Sequence, residues 1–504
     1  MRRLVISIVL LLMSLAAPRT VWAIDPSVIT AETPADGKLR HARVAERRKG
    51  INIICHRGAS EFAHENTLEA YRATFELGGD GNEFDIRATK DDVLVCFHDD
   101  MLDRLLEAYG DVSDYTWNEL QQFRFRNPGR FGAQCRIPTL VEVLQLHRQY
   151  AGLMHLDIKR TGLDTAIADL ISRMDMWDQV AFCNVDTGGV ILRDPRLKLL
   201  SYKGKGLYSD RSEVFPDAVA AALKLPGEDI IADDPRGVAV ALGRKFLTLS
   251  NDAVASSSIP RNAKSALPTE SELVADLRDA DDWNCIAETT DEKEKSAQRI
   301  VARARAADQL CDLKTSSKGS FAILEERVRK RSLHKDWMYH GLDGAISLRS
   351  LIMLHAPGAV DMARFVLWRD DPALEPLIDP RWKSPRASVD FRAKILVFPA
   401  LLHFPGPASE KLCREYLALS DEAAEQLGPT QFEEAAKTLL AISPHEETAR
   451  ELLHHRLTLV RGRVILDCLA HADESWARST LEQKAPFALA YQVNYNRQIS
   501  ASRH

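Results

Sequence analysis

The sequence predicts an α/β domain with a mainly parallel sheet, followed by a second domain that is almost wholly helical. From Gly50 to about Gly243, short apolar runs typical of strands alternate with amphipathic stretches of helical period. From residue 270 to about 495 the pattern is almost wholly helical. Between them, residues 249–269 are polar and rich in Ser, Ala and Pro, which predicts a linker.

The α/β prediction depends on the order of the apolar runs. The predicted strands are Ile51–Cys55, Asn82–Ala88, Val93–His98, Leu153–Lys159, Val180–Asn184, Leu197–Lys203 and Asp229–Asp233. The predicted helices between them are Thr67–Leu77, Thr139–Tyr150, Thr165–Met176 and Glu213–Leu225. One connection breaks the alternation, because residues 89–92 are too short for a crossover helix. In the helical half, residues 439–453 and 468–481 resemble each other weakly, so an irregular solenoid and a plain bundle both remain open.

Length and charge limit the class of protein. A chain of 504 residues is too long for one ordinary core, so two or three domains are expected. The net charge of -6 gives no support for a nucleic-acid partner held by bulk electrostatics. Any bound anion must therefore be held by a local site.

The N-terminus has the pattern of a secretory signal peptide. A basic start, Met1-Arg2-Arg3, precedes an apolar run from Leu4 to Ala17 and a small-x-small ending at Ala23. The run is shorter than the roughly 18–20 residues that span a bilayer, so a membrane anchor is the weaker alternative. We expect cleavage near Ala23, residues 24–49 as a leader or linker, and an exported periplasmic or secreted protein without a transmembrane anchor.

The cysteines do not indicate a chemical site. The eight cysteines are scattered singly from Cys55 to Cys468, with no CxxC pair. Cys55 and Cys96 lie within predicted strands, where a buried thiol behaves as a small hydrophobic residue. We therefore predict neither metal nor redox chemistry from them.

Carboxylates occur where a packed strand should be apolar. Glu83 and Asp85 share one face of their strand, and Asp157 shares a face with His155 and Lys159 on another. Buried carboxylates are costly unless they are paired, and Mg²⁺ or Ca²⁺ takes several oxygen ligands. We predict a divalent-cation site here; pairing of Glu83 and Asp85 with Arg87 and Lys90 is the alternative.

Two histidines and two cations complete the predicted site. His56 and His98 end strands, and a pair of imidazoles can divide general-base and general-acid work. Arg57 offers a fork of donors for phosphate oxygens, and Lys159 adds a point charge. The expected ligand is a phosphate ester.

Other polar residues have ordinary structural interpretations. His155 is expected at the surface and His64 in a loop. Asn66 has the spacing of a helix capping box with Glu69. Asp233 and Pro235 are expected to end a strand and start a helix.

An ordered series of short motifs runs along the first half of the chain: HRG at 56–58, ENT at 65–67, EFD at 83–85, TKDD at 89–92, FHD at 97–99, LDR at 102–104, IPTL at 137–140, LDIK at 156–159 and IADDP at 231–235. This series resembles that of the glycerophosphodiester phosphodiesterases, which are TIM-barrel enzymes. It covers about residues 50–245. A TIM-like barrel over residues 50–248, incomplete or irregular in its second half, is what the resemblance implies.

The resemblance also implies roles for individual residues. His56 and His98 match the catalytic histidine pair. The metal carboxylates would be Glu83, Asp85 and Asp157, the phosphate contacts Arg57 and Lys159, and Glu65 would line the site. The family commonly uses one Ca²⁺ or Mg²⁺ and releases glycerol 3-phosphate and an alcohol.

The chain departs from the family at three places. Asp157 stands where a glutamate is usual, and Asp92 replaces a turn glycine. Few strands are predicted between Asp157 and Asp233, so the region that would shape the leaving-group pocket is reduced.

The predicted function is that of an exported, metal-dependent phosphodiesterase acting on glycerophosphodiesters. One alternative is a phospholipase-D-like enzyme or lyase that acts on lipid head groups or polymer phosphodiesters. Another is a decayed barrel whose helical half is a binding scaffold. The helical half could bind a protein partner, cover the barrel mouth or mediate assembly.

Overall fold

The computed structural model describes residues 29–60, 62–99, 101–125, 135–183, 216–225, 229–244, 268–278, 284–285, 290–334, 339–369, 391–419, 429–443 and 445–455. The predicted signal peptide, the strand predicted at 197–203, nearly all of the linker and the second repeat at 468–481 lie outside these residues. Among the residues described, no helix is both long and apolar enough to cross a membrane.

The first half of the chain contains the predicted parallel sheet. Its strands are β1 (Asn52–His56), β2 (Gly81–Ala88), β3 (Leu94–Cys96), β4 (Leu153–Ile158), β5 (Val180–Cys183) and β6 (Asp229–Ala232). The neighbour order is β5-β4-β2-β1-β6, and every pair along this path is parallel. The last strand thus returns beside the first, as in a TIM-like (β/α) barrel, and the predicted fold class is confirmed.

Strand β3 explains the short connection at residues 89–92. It lies off the path and pairs antiparallel with β2. Asp92 has a positive φ of 63° in this turn, which an aspartate can adopt. The hairpin carries His98 back towards the barrel.

Helices surround the barrel. They are α1 (Pro34–Arg47), α2 (Leu68–Glu76), α3 (Trp117–Leu120), α4 (Leu140–Tyr150), α5 (Asp164–Arg173), α6 (Pro216–Ala222) and α7 (Arg236–Ala241). The apolar face of β2, with Phe84 and Ile86, packs in one cluster with residues of α2, α4 and α5. Because strand side chains alternate, Glu83 and Asp85 point to the other face, into the barrel.

Helix α1 lies in the segment that the sequence suggested was a leader or linker. Its Val44 is buried with Ile54, Leu153 and Ile231 in a cluster at the amino-terminal end of the sheet. Arg40, also buried, donates to Gln179 Oε1 at 2.8 Å and to Glu32. Helix α1 is therefore an integral part of the barrel, at the end opposite the predicted site.

We expect Val44→Ala to lower the free energy of unfolding by about 1–2 kcal/mol, because it removes buried apolar atoms from this cluster. Leu39→Ala, on the same helix at a position that is 51% exposed, should change it by less than about 0.5 kcal/mol. Urea unfolding of both variants measures the difference. Equal values would contradict the packing role of α1.

The second half of the chain is helical, as predicted. Its helices are α8 (Glu270–Arg278), α9 (Thr290–Asp312), α10 (Lys318–Arg329), α11 (Leu342–Met353), α12 (Ala359–Leu367), α13 (Phe391–Leu401), α14 (Pro407–Leu417), α15 (Pro429–Ile442) and α16 (Glu446–His455). Two short strands, β7 (Asn284–Cys285) and β8 (Leu333–His334), pair in parallel. The buried faces of these helices form one continuous core.

Candidate active site

The predicted site residues meet at the carboxyl ends of the parallel strands. His56 is the last residue of β1 and pairs in register with Glu83 of β2. Asp85 of β2 is in register with Asp157 of β4. Since all of these strands run the same way, their polar ends lie at one mouth of the barrel.

Three carboxylates form the cluster that the sequence predicted. Glu83, Asp85 and Asp157 each place an oxygen within 4.8 Å of the others, and all three are buried. The Lys159 ammonium lies 2.6 Å from Asp157 Oδ2 and 2.9 Å from Asp85 Oδ1. Asp85 thus pairs with Lys159 and, at 3.5 Å, with Arg57 Nε, whereas the Arg87 guanidinium donates to the His98 carbonyl.

The pKa values at this cluster reflect its crowding. Burial and the neighbouring Asp85 carboxylate raise the pKa of Glu83 to about 7. Burial also disfavours ionised Asp85, but Arg57 and Lys159 hold its pKa well below the usual range. Arg57 and Lys159 therefore compensate the negative charge of Glu83 only in part. A hard divalent cation fits this set of oxygen donors.

A tight left-handed turn after β1 aims the Arg57 backbone at the cluster. Arg57 and Gly58 have positive φ angles of 58° and 86°. The Arg57 amide donates to Glu83 Oε2 at 3.0 Å. A Cβ at Gly58 would lie 2.7 Å from Ala70 Cβ, so the turn requires glycine at that position.

Each histidine of the predicted pair has its own carboxylate. His56 Nδ1 lies 3.2 Å from Asp233 Oδ1, and His98 Nδ1 lies 2.8 Å from Asp99 Oδ1. Burial opposes the charged form of His56, yet Asp233 and Glu83 raise its pKa above the usual value. An Nδ1 that is bonded to a carboxylate leaves Nε2 to exchange a proton with a ligand.

A chain of ion pairs joins the two sides of the mouth. Glu65 Oε1 accepts from Arg57 at 3.1 Å and from Arg104 at 2.6 Å. Arg104 also donates to Asp99 at 2.5 Å. Despite burial, the guanidinium groups of Arg104 and Arg57 lower the pKa of Glu65 to about 2. Glu65 thus lines the site as a carboxylate shared by two arginines.

Two structural interpretations of single residues were wrong. His155 is 3% exposed and pairs with Asp229 at 3.2 Å inside the barrel, because its side chain shares the inner face with Asp157. The cap of α2 is Thr67, which accepts from Ala70 N. Asn66 is instead buried in the site and donates to Asp85 Oδ2 at 2.8 Å. His64 does lie in a loop, as expected, with its ring stacked on Phe125.

Sequence reasoning also missed the carboxylates that support the histidines. Asp233 does follow a strand, but it bonds His56. Asp99 and Arg104 belong to quoted motifs, FHD and LDR, without an assigned role. Their positions beside His98 and Glu65 come from the fold of Asp99 and residues 101–111, which no local pattern specifies.

Comparison with known proteins agrees with the motif series. Residues 56–175 match the model of the Glycerophosphoryl diester phosphodiesterase family. Glycerophosphodiester phosphodiesterase of Caldanaerobacter subterraneus subsp. tengcongensis is 40% identical over 111 residues, 21% of this chain and 44% of that protein. That of Bacillus altitudinis is 31% identical over 148 residues, 28% of this chain and 60% of that protein.

The similarity is partial in extent. The chain spans about half the length of the curated relatives it matches. A glycerophosphoryl diester phosphodiesterase structure from Parabacteroides distasonis shares 24% identity and a TM-score of 0.33, over 40% of this chain and 91% of that one. A TM-score of that size adds no argument. Residues 56–175 of the chain are therefore similar in sequence to the glycerophosphoryl diester phosphodiesterase family, over about a quarter of its length.

Proposed function

We propose that the chain is a metal-dependent phosphodiesterase that cleaves glycerophosphodiesters to glycerol 3-phosphate and an alcohol. One observation carries the proposal: His56 and His98, each backed by a carboxylate, share a barrel mouth with the acidic cluster. The family whose model matches residues 56–175 and the relative from Caldanaerobacter subterraneus both bear the name of this activity. Export after cleavage near Ala23 belongs to the proposal and depends on the N-terminal sequence pattern alone.

The residues at the mouth have complementary roles in this proposal. Arg57 and Lys159 would bind the phosphate oxygens, which draws Lys159 away from its two carboxylates. Glu83, Asp85 and Asp157 would hold one Ca²⁺ or Mg²⁺, which supplies Lewis-acid polarisation of the phosphoryl group when bound. Asn66, bonded to Asp85, would fix the orientation of that ligand.

The two histidines would divide the proton transfers. One Nε2 takes a proton from the attacking hydroxyl, and the other donates a proton to the leaving alkoxide. Asp233 bonds Nδ1 of His56, and Asp99 bonds Nδ1 of His98. Each ring is thereby oriented so that its Nε2 faces the ligand. Water and the neighbouring glycerol hydroxyl are both compatible nucleophiles.

The decisive assay is release of choline from glycerophosphocholine by the purified mature protein. We expect release with added Ca²⁺ or Mg²⁺ and its loss with chelator. Ethanolamine and inositol diesters test the head-group preference, and product analysis for a cyclic phosphate separates hydrolysis from lyase chemistry. If none of these diesters is cleaved and calorimetry detects no cation binding, the proposal fails and a scaffold role is favoured.

A further inference from the structure

The segment that carries Arg104 is a closed loop. Residues 101–111, here called the Arg104 segment, begin and end at a bridge between Met101 and Asp111. Leu102 N donates to Gly110 O at 3.0 Å within it. The segment begins two residues after Asp99, and its position decides where the Arg104 guanidinium lies.

Arg104 is held on both sides by carboxylates of the site. Its nitrogens contact Asp99 Oδ2 at 2.5 Å and Oδ1 at 3.2 Å, and Glu65 Oε1 at 2.6 Å and Oε2 at 3.0 Å. Asp99 in turn bonds His98 Nδ1 at 2.8 Å. A guanidinium engaged in this way is suited to orienting carboxylates rather than to binding a substrate phosphate.

Apolar side chains of the Arg104 segment are buried in the core of the helical half. Met101 and Tyr109 are 2% and 4% exposed and belong to the same cluster as the inner faces of α9, α11 and α13. The 3₁₀ turn Leu102–Arg104, which includes the arginine itself, packs against α13. Burial of this kind anchors a loop more strongly than exposed ion pairs do.

Polar contacts flank the apolar ones. Arg349 of α11 lies 3.9 Å from Glu107 Oε1 and 2.9 Å from Asp308. Burial raises the pKa of Tyr115, just beyond the segment, and the neighbouring Arg305 guanidinium of α9 opposes that rise. The Tyr115 hydroxyl also donates to the Tyr109 carbonyl, which lies in the segment.

We propose that the helical half positions the acid–base machinery: it anchors the Arg104 segment, and Arg104 orients His98 through Asp99. Arg104 is then a positioning residue, and the helical half is required for turnover although none of the candidate chemical groups belongs to it. The inference rests on the proposed phosphodiesterase function. It gives the helical half a role that its composition did not reveal.

The test uses the full chain with substitutions on the helical side only. The variant Arg305→Ala/Arg349→Ala removes both flanking guanidinium groups and leaves every group at the barrel mouth unchanged. The matched control, Arg364→Ala/Arg414→Ala, removes two ion pairs internal to the helical half, to Glu415 and Glu451. Arg104→Lys keeps the positive charge but loses the forked guanidinium that contacts Asp99 and Glu65. It therefore tests directly whether Arg104 positions His98.

We expect the Arg305→Ala/Arg349→Ala variant and Arg104→Lys to lower kcat about tenfold or more, with KM and Ca²⁺ affinity within about twofold of wild type. Amide hydrogen exchange over residues 101–111 should accelerate in the first variant and not in the control. Circular dichroism confirms that each variant is folded, and Glu107→Gln, made on the barrel side, repeats the test if Arg349→Ala disrupts the helical half.

The outcomes separate this proposal from the proposed function. Equal exchange and equal kcat in test and control variants would overturn the anchoring role. A loss of Ca²⁺ affinity that accompanies the loss of kcat would also overturn it. Such a result would mean that the substitutions disturb the strands that carry the carboxylates, rather than the position of His98 alone. If wild-type protein cleaves no diester, the phosphodiesterase assignment fails, while the exchange comparison still decides whether the helical half holds the segment.

Discussion

His56→Ala and His98→Ala are each expected to reduce turnover of glycerophosphocholine by about two orders of magnitude or more while the fold is retained. General acid–base catalysis contributes on the order of 10²–10⁴-fold to the rate of an enzymatic reaction. Among the described residues of the mouth, His56 is the only histidine paired with Asp233, and His98 is the only one paired with Asp99. Steady-state kinetics with saturating Ca²⁺ measure the loss. Circular dichroism and Ca²⁺ affinity check that strands β1 and β2 are undisturbed.

His41→Ala is the matched control for the histidine variants. His41 lies on α1, contacts Asp175 and Asp178, and is at the end of the barrel opposite the mouth. Its removal should leave kcat within about twofold of wild type. Near wild-type turnover in either His56→Ala or His98→Ala would refute the assignment of that residue.

Removal of the cation is expected to abolish turnover and to lower stability most at alkaline pH. The pKa of Glu83 is raised to about 7 in the folded protein, above its ordinary value. A carboxyl group of this kind favours folding below its unfolded pKa, and this contribution is lost as pH rises through about 7. His56, whose pKa is also raised, changes stability in the same direction.

Thermal unfolding with chelator should therefore give a lower Tm at pH 8 than at pH 6, and Ca²⁺ should restore more stability at pH 8. Glu83→Gln removes the repulsion between the carboxylates of Glu83 and Asp85, so it should lessen this pH dependence. It also removes one carboxylate ligand and should weaken Ca²⁺ binding about tenfold or more. Asp229→Asn, a carboxylate at the other end of the barrel, is the control for binding. An unchanged Ca²⁺ affinity in Glu83→Gln would contradict the ligand assignment.

The family resemblance implied a glutamate at the position of Asp157, and the structure shows the local surroundings of the aspartate. Asp157 is in register with Asp85, and Lys159 contacts both carboxylates. The shorter side chain still places an oxygen within 4.8 Å of the other two carboxylates. The cluster is thus compatible with the aspartate without any change in the strands.

Much of the site was accessible to sequence reasoning because strand alternation is local. The period of two places Glu83 and Asp85 on one face, and Phe84 and Ile86 on the other, without knowledge of the fold. The short link at 89–92 excluded a crossover, and β3 does turn back on β2. The motif series resembled the family whose model matches residues 56–175, and this resemblance implied the histidine pair.

Residues whose partners are distant in sequence were interpreted wrongly or missed. Asn66 fits a capping pattern with its neighbours, but its amide bonds Asp85, 19 residues away. His155 was predicted to lie at the surface, but β6 places Asp229 beside it in the interior. Asp233 reaches His56 across 177 residues, a pairing that exists only because β6 lies next to β1.

The sequence by itself determined the α/β class, the order of helical and strand segments, the carboxylates and the histidines, since these follow from periodicity and motif order. Tertiary structure alone decided that α1 packs against the amino-terminal end of the sheet, that Asp233 and Asp99 support the histidines, and that the helical half packs on the Arg104 segment. The physical reason is the distance along the chain over which each interaction acts. Alternation and capping act between neighbours in the chain, whereas burial and ion pairing join whichever residues the fold brings together.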